Sequence, residues 1–191
     1  PSTEKSEVTT DLDKVQKNSN NYVLNNDKYK VTINSNGDIS SIWDKSINRE
    51  LLESPIRLSL QNMTDKYWAA WELNTGDYWN KLGDDYVSGD NIDIKIIEDG
   101  SCRTSVQVTR KYRNSTYSQT VRLAAGGQFV TIDNLVDWQE KALLLKAEFN
   151  TNSSNEKATY DLGLGAVERG NNTNNLAEVP VQQWADISNS D

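Results

Sequence analysis

Histidine is absent from this sequence of 191 residues, and this absence excludes more chemistry than any other feature of the composition. Without an imidazole, the chain cannot form a Ser-His-Asp or Cys-His catalytic arrangement, or a metal site that depends on histidine. Two kinds of site remain open to it. One is a Ca²⁺ or Mg²⁺ site built from carboxylates, and the other is a glycosidase site built from two carboxylates.

Cysteine is nearly absent too, since Cys102 is the single thiol. One thiol cannot form an internal disulfide, which favours a reducing compartment, so we predict a cytoplasmic rather than a secreted protein. No secretory signal pattern opens the sequence, and no apolar run is long enough to span a membrane. The first residue is Pro1 rather than methionine, and we therefore expect the chain to be a cut piece of a longer protein.

Positive charge is scarce relative to negative charge. The net charge is -8 and the sequence pI is about 4.7. DNA, RNA and anionic membranes are bound through basic patches, so we predict none of them as a partner.

Short stretches of alternating apolar and polar residues follow one another from residue 21 onward. The predicted strands are 29–33, 39–44, 56–60, 91–97, 105–112, 117–123, 143–149 and 158–170. The Asn36-Gly37 pair between the first two predicts a tight hairpin turn, and no segment keeps a helical period for several turns. The pattern therefore predicts an all-β, antiparallel β-sandwich over residues 21–191. Residues 1–20 are polar and predict a linker or frayed arm.

Carboxylates flank a tryptophan at Asp137, Trp138 and Glu140, as in many sugar-cleaving sites. A catalytic pair must face across a cleft, which neighbours on one strand or its turn rarely do, so a structural role is the favoured interpretation. We expect the core of this stretch to come from its apolar residues, Val136, Leu143, Leu145 and Phe149. A second acidic group, Asp84, Asp85 and Asp90, suggests a Ca²⁺ site or simply an acidic turn, and it lacks EF-hand spacing.

An aromatic segment at 68–86 fits no strand well and predicts an excursion over the sheet. Its tryptophans Trp68, Trp71 and Trp79 are candidates for stacking on sugar rings. The alternative is a small satellite core under a long loop.

Five segments, in this order, resemble the C-terminal β-domain of glycoside hydrolase family 38 α-mannosidases. They are 21–51, 68–73, 136–150, 163–170 and 178–188. In the first of them, the matching residues are Gly37, Ile39, Asp44, Lys45, Arg49, Glu50 and Leu51. The fourth is similar to the family's Gly-x-x-Glu-Arg segment and the fifth to its Pro-x-x-x-Trp-Ala-Asp-x-Ser segment.

The resemblance implies a galactose-mutarotase-like supersandwich portion of a retaining α-mannosidase, hydrolysing terminal α-D-mannosides in the intact enzyme. It implies that the catalytic nucleophile and a Zn²⁺ site belong to another domain, so that this chain alone has no catalytic residue, no metal and no activity. The β-domain would pack against the catalytic domain and help to wall its pocket. By motif match, the wall candidates are Glu168, Arg169, Trp184 and Asp186. The β-region would be incomplete here, which exposes a strand edge and makes a homo-oligomer plausible.

Two other functions stay open at this point. One is a carbohydrate-binding β-sandwich without catalysis, which would use the tryptophans of the aromatic segment. The other is an adhesin or structural β-module. Arg169 suits either a clamp on a hydroxyl-rich ligand or a local ion pair, and spacing does not separate these roles.

Overall fold

The computed structural model describes residues 12–63, 81–87, 92–170 and 179–188, with the backbone alone for 81–86. These residues contain no helix, and their strands pair antiparallel, so the predicted all-β fold is confirmed. The strands are β1 (Asp13–Asn18), β2 (Asn21–Asn25), β3 (Tyr29–Ile33), β4 (Ile39–Asp44), β5 (Arg49–Glu50), β6 (Arg57–Asn62), β7 (Lys81–Tyr86), β8 (Ile92–Asp99), β9 (Arg103–Tyr112), β10 (Ser115–Ala124), β11 (Thr131–Asp137), β12 (Leu143–Glu148), β13 (Lys157–Asp161), β14 (Ala166–Gly170) and β15 (Ala185–Asp186).

Two sheets form the main sandwich. One has the order β1-β2-β3-β4-β5 and the other the order β11-β10-β9-β8. Alternate residues of each strand point into the space between them, as a period of two requires. Val31 and Ile33 of β3 and Leu123 of β10 are fully buried there, and Val106 of β9 joins them.

A third sheet, with the order β12-β6-β7, packs against the same inner face near the first residues of β10. Its Leu58 and Leu60 meet Tyr117 of β10, and Trp138 and Leu145 pack against this second cluster. A bridge between Ile39 and Ile56 joins the third sheet to the first. The two core clusters are therefore consecutive parts of one interior that β10 lines along its length.

The turn between β3 and β4 depends on a glycine. Gly37 has φ +74°, and its amide donates to the Asn34 carbonyl at 3.0 Å. A Cβ at this position would overlap Val108 Cγ1 and lie 3.0 Å from Arg110 Nη2. Glycine is needed both for the backbone conformation and for the close approach of β9.

A buried ion pair lies beside this turn. Arg110 Nη2 is 3.1 Å from Asp38 Oδ1, and the two side chains are only 2% and 5% exposed. Arg110 Nη1 donates to Gln119 Oε1 at 2.9 Å, and Arg57 Nε lies 3.6 Å from Asp38 Oδ2. Burial raises the pKa of Asp38 while both arginines oppose that shift. The pair links the hairpin turn of the first sheet to the centre of the second.

The prediction of a polar linker or frayed arm over residues 1–20 is wrong for residues 12–18. Leu12 is buried and Asp13–Asn18 form β1, which pairs with β2. The strand is almost entirely exposed and polar, with Val15 alone packed toward the core, so it carries no alternating apolar signal. Residues 1–11 lie outside the described part of the chain.

Two other predictions need correction. Residues 81–86 form β7, whereas the sequence of 68–86 fits no strand well and predicts an excursion over the sheet. The pairing of β7 with β6 is irregular, and β7 has few apolar residues. Val136 and Phe149 were expected in the core but are 44% and 56% exposed. They lie near the ends of strands β11 and β12, where no described segment covers them.

Candidate functional site

The four wall candidates lie together on a small sheet of order β14-β13-β15, which we call the distal sheet. The prediction of one strand over 158–170 is wrong. Those residues form the β13–β14 hairpin instead, and residues 185–186 pair with the other edge of β13. Glu168 and Arg169 are therefore held on a strand.

A compact turn shapes the tip of this hairpin. Gly163 has φ +84°, and the Leu162 amide donates to the Gly165 carbonyl at 2.8 Å. Asp161, a buried residue, accepts the Gly163 amide on Oδ1 at 2.8 Å and the Gln183 amide on Oδ2 at 3.1 Å. One carboxylate thus fixes both the hairpin turn and the segment that leads into β15.

Glu168 and Asp186 project from the same face of the distal sheet. Both are paired with Thr159 of the central strand, one from each side. Two strand spacings separate their backbones by about 10 Å. Glu168 lies 2.8 Å from Lys157 Nζ and raises the pKa of that lysine. Asp186 accepts the amide and the hydroxyl of Ser188 at 3.0 and 2.9 Å.

Arg169 and Trp184 are placed differently. Arg169 projects from the opposite face, where its guanidinium lies 5.6 Å from the Tyr160 ring centre and donates to the Pro180 carbonyl at 3.1 Å. Trp184 precedes β15 and is 47% exposed, and its carbonyl accepts the Asp161 amide at 3.0 Å. The structure therefore gathers the four candidates on one small sheet but does not point them into one pocket.

A groove of about 380 Å³ runs between the distal sheet and the sandwich. Asp186 lines it from the distal sheet, and Arg49 and Asn152 line it from the sandwich. Arg49 Nη2 donates to the Asn152 carbonyl at 2.8 Å, and the Asn152 amide donates to the Leu51 carbonyl at 2.8 Å, so the Arg49 side chain is held beside its own strand. Three apolar side chains, Ile47, Leu51 and Ile187, are also part of the lining.

Arg49 was missed as a site residue by the sequence reasoning, although it belongs to the matching motif. Its neighbour Glu50 explains part of that motif. The Glu50 carboxylate accepts the Ser41 hydroxyl at 2.5 Å and the amides of Ile42 and Leu52 at 2.9 and 3.0 Å. These hydrogen bonds lower the pKa of Glu50 against the opposing effect of burial. They hold β5 on the edge of β4, and with it Arg49.

Asp137 and Glu140 serve the fold. Glu140 Oε1 accepts the Asn114 amide at 3.2 Å and the Ser115 hydroxyl at 3.1 Å, so it fixes the β9–β10 hairpin. Asp137 ends β11 and accepts a hydrogen bond from Gln139 two residues later. Trp138 stacks on Tyr112 with ring centres 6.4 Å apart. These contacts agree with the structural interpretation of this stretch.

Other sequence candidates lie outside the part that the structure describes. They are Trp68, Trp71, Trp79 and Asp90, and the side chains of Asp84 and Asp85. Among the described side chains, no three metal-ligating residues form a cluster. None of the described segments is a helix long and apolar enough to cross a membrane.

Known proteins resemble this chain in fold and in sequence. Its fold is similar to that of one part of an alpha-mannosidase from Enterococcus faecalis V583, whose crystal structure superposes with a TM-score of 0.60 at 15% identity, over 78% of this chain and 20% of that one. The family model described as Glycosyl hydrolases family 38 C-terminal domain matches residues 24–191. The chain belongs to that family, and the predicted resemblance is confirmed.

Curated relatives match along nearly the whole chain. Alpha-mannosidase G of Dictyostelium discoideum is 30% identical over 93% of the chain, and alpha-mannosidase 2C1 of Mus musculus is 25% identical over 93% of it. Alpha-mannosidase 2C1 of Homo sapiens is 26% identical over 91%. This chain spans 17% to 18% of the length of these relatives.

Proposed function

We propose that these 191 residues are the C-terminal β-domain of an enzyme that hydrolyses terminal α-D-mannosides. The observation that carries this proposal is the family match over residues 24–191. The relatives that align over more than nine tenths of the chain are themselves named alpha-mannosidases, which supports the same substrate class.

In this proposal, the catalytic groups belong to another part of the same polypeptide. The sequence has no histidine, and the described residues gather no three metal ligands, so these residues do not fit a Zn²⁺ site. The carboxylates of the distal sheet are engaged in local contacts: Glu168 with Lys157, and Asp186 with Ser188. We assign no step of the hydrolysis to them. A domain of this kind contributes scaffold and surface, and by itself has no activity.

The distal sheet is the part we place against the catalytic domain, as a wall of its pocket. Glu168, Trp184 and Asp186 are exposed polar or aromatic side chains on a backbone fixed by strand pairing. Arg169 contributes by holding the chain at Pro180. Rigid elements of this sort orient ligand-facing side chains better than free loops do.

The single exposed thiol, Cys102, supports a cytoplasmic location for the protein.

The test is a substrate panel on the full gene product that contains this chain. We expect hydrolysis of an aryl α-mannoside and far weaker hydrolysis of the matching α-glucoside and β-mannoside. Preference for either of those two substrates would contradict the proposed substrate class.

The role as a wall has its own test in the same enzyme. Trp184→Ala should raise KM more than it lowers kcat, because it removes binding surface without touching the reacting groups. The control is Phe129→Ala, which truncates an exposed aromatic side chain outside the distal sheet. Equal kinetic effects of the two changes would remove Trp184 from the wall.

A further inference from the structure

Strand β11 is an open edge of the β11-β10-β9-β8 sheet, and β10 is its only neighbour among the described strands. Its seven residues pair with β10 in a continuous register that contains no bulge. Leu135 and Val136 on this strand are 76% and 44% exposed. An open strand edge with exposed apolar residues is a template for pairing with another strand.

The other two long edges of the main sandwich, β1 and β8, are protected against such pairing. Each of them contains a shift in its pairing register. Each also carries exposed lysines, which are Lys14 and Lys17 in β1 and Lys95 in β8. Bulges and lysines are devices by which natural sheets block edge-to-edge association. Strand β11, with the sequence TIDNLVD, has neither device, which indicates an edge that is used for pairing.

Side-chain contacts hold β11 in place before a partner arrives. On the inner face, Asn134 Oδ1 accepts the Tyr117 hydroxyl at 2.6 Å and the Gln119 side-chain amide at 3.2 Å. On the outer face, Asp133 forms an ion pair with Arg122, so its negative charge is locally balanced. A strand that is fixed in this way loses little conformational freedom when it pairs.

The apolar residues of β11 are complementary to one another when two copies of the strand run antiparallel. A two-fold axis at Asn134 places Ile132 of each copy opposite Val136 of the other, on the inner face where Ile132 already packs against the core. The same axis places the two Leu135 side chains diagonally across from each other on the outer face, within reach of contact. Each apolar residue of the strand therefore meets an apolar residue of the other copy.

The charges of β11 select this register over the neighbouring ones. An axis moved by one residue, to position 133 or 135, would set Asp133 opposite itself or opposite Asp137. Like charges directly opposite each other destabilise a sheet. With the axis at Asn134, Asp133 lies opposite Leu135 and Asp137 lies opposite Thr131, so no two carboxylates face each other.

We infer that β11 is a dimerisation edge, at which two copies of the protein join their β11-β10-β9-β8 sheets into one continuous sheet. The partner is a second copy because the strand matches itself in both apolar pattern and charge. The contact lies on the main sandwich and involves neither the distal sheet nor a substrate. It therefore goes beyond the proposed function and does not rest on it.

The first experiment is disulfide trapping in the intact gene product. Asn134→Cys is introduced in a Cys102→Ser background, because residues directly opposite in an antiparallel pair have Cα atoms about 4.5–5.5 Å apart, within the range of about 4.4–6.8 Å that a disulfide requires. The matched control is Leu164→Cys in the same background, at a fully exposed position on the distal sheet. We expect mild oxidation to give a covalent dimer joined through position 134 of both copies, and only background dimer from the control.

The second experiment leaves the hydrogen bonds of Asn134 intact. Leu135→Asp places a new carboxylate opposite Asp133 of the other copy, whereas Leu135→Lys places a cation there, and both variants lose the same apolar contact. Leu135 is 76% exposed, so neither change disturbs the core. Size-exclusion chromatography with light scattering, over a dilution series, measures the dissociation constant of the dimer. We expect Leu135→Asp to raise it about tenfold or more, and Leu135→Lys to raise it clearly less.

Four outcomes would overturn the inference. They are a wild-type protein that is monomeric at micromolar concentration, no more covalent dimer from position 134 than from position 164, equal dissociation constants for the two Leu135 variants, and a disulfide from position 134 to a cysteine of the same polypeptide. The last outcome would show that another strand of the protein covers this edge. Because no readout involves hydrolysis, a failure of the proposed substrate class would leave these results unchanged.

Discussion

Replacing Arg110 by methionine tests how much the buried ion pair contributes to the fold. The guanidinium is 2% exposed and bonds to Asp38 at 3.1 Å and to Gln119 at 2.9 Å. Methionine keeps most of the aliphatic volume but leaves the Asp38 carboxylate, 5% exposed, without its closest cation. Removing one partner of a buried pair costs about 3–5 kcal/mol, because the other charge stays desolvated.

The neighbouring Arg57 determines how much unfolding free energy is lost when Arg110 is replaced. It lies 3.6 Å from the other Asp38 oxygen, and its side chain is 40% exposed, so it compensates only in part. We therefore expect Arg110→Met to lower the free energy of unfolding by about 3 kcal/mol. In the double variant Asp38→Asn, Arg110→Met, no buried charge is left without its partner, because the remaining Arg57 side chain is 40% exposed to solvent. Its loss of unfolding free energy should be smaller, by at least about 1 kcal/mol, than the sum of the losses in the two single variants, because the two residues are in contact.

The assay is urea unfolding, followed by tryptophan fluorescence and far-UV circular dichroism, with linear extrapolation. Arg122→Met on β10 is the control. Its arginine is 25% exposed and pairs with Asp133 and Glu98 on the outer face of the same sheet. Pairs near the surface contribute about 0–1 kcal/mol. A loss at Arg110 no larger than that at Arg122, or strict additivity in the double variant, would refute the reasoning.

Two further predictions concern the hairpin turn and an edge strand. Gly37→Ala should destabilise the chain by clearly more than the roughly 1 kcal/mol that a left-handed alanine costs, because its Cβ would overlap Val108; Gly126→Ala, with φ +60° and open space, measures that conformational cost alone. Equal losses of urea stability in these two variants would contradict the close approach of β9. Glu50 has a folded pKa below its ordinary 4.5, so its stabilisation is present above pH 4.5 and is lost as the pH falls through the lower, folded value. Wild type should then lose more stability between pH 6 and pH 3 than Glu50→Gln does, and parallel losses would exclude this role.

Strands with local signals could be predicted from the sequence. β3 and β4 have the predicted bounds, because alternating apolar residues and an Asn-Gly turn specify a hairpin within sixteen residues. β1 could not be predicted, because its residues are polar and its strand conformation comes from pairing with β2. The same holds for β7, which has few apolar residues and pairs with β6, a strand that precedes the aromatic segment in the chain.

Contacts between residues that lie far apart in the chain could not be predicted from the sequence. An arginine in a strand gives no sign that it is buried, and Asp38 lies 72 residues away from Arg110 in the chain. For the candidate site, the family motifs correctly selected residues of the distal sheet. One of them, Asp186, lines the groove. The motifs gave no indication that Arg169 projects from the opposite face of the distal sheet, or that Arg49 lines the groove from the sandwich. Both positions depend on how the sheets pack against one another.

The most direct test of the central claim is one comparison of hydrolysis rates on an aryl α-mannoside. The intact gene product and this 191-residue chain alone are assayed side by side, at equal molar concentration and with Zn²⁺ added to both. We predict turnover by the intact protein and none by the chain alone. Turnover by the chain alone, or a lack of turnover by the intact protein, would contradict the account.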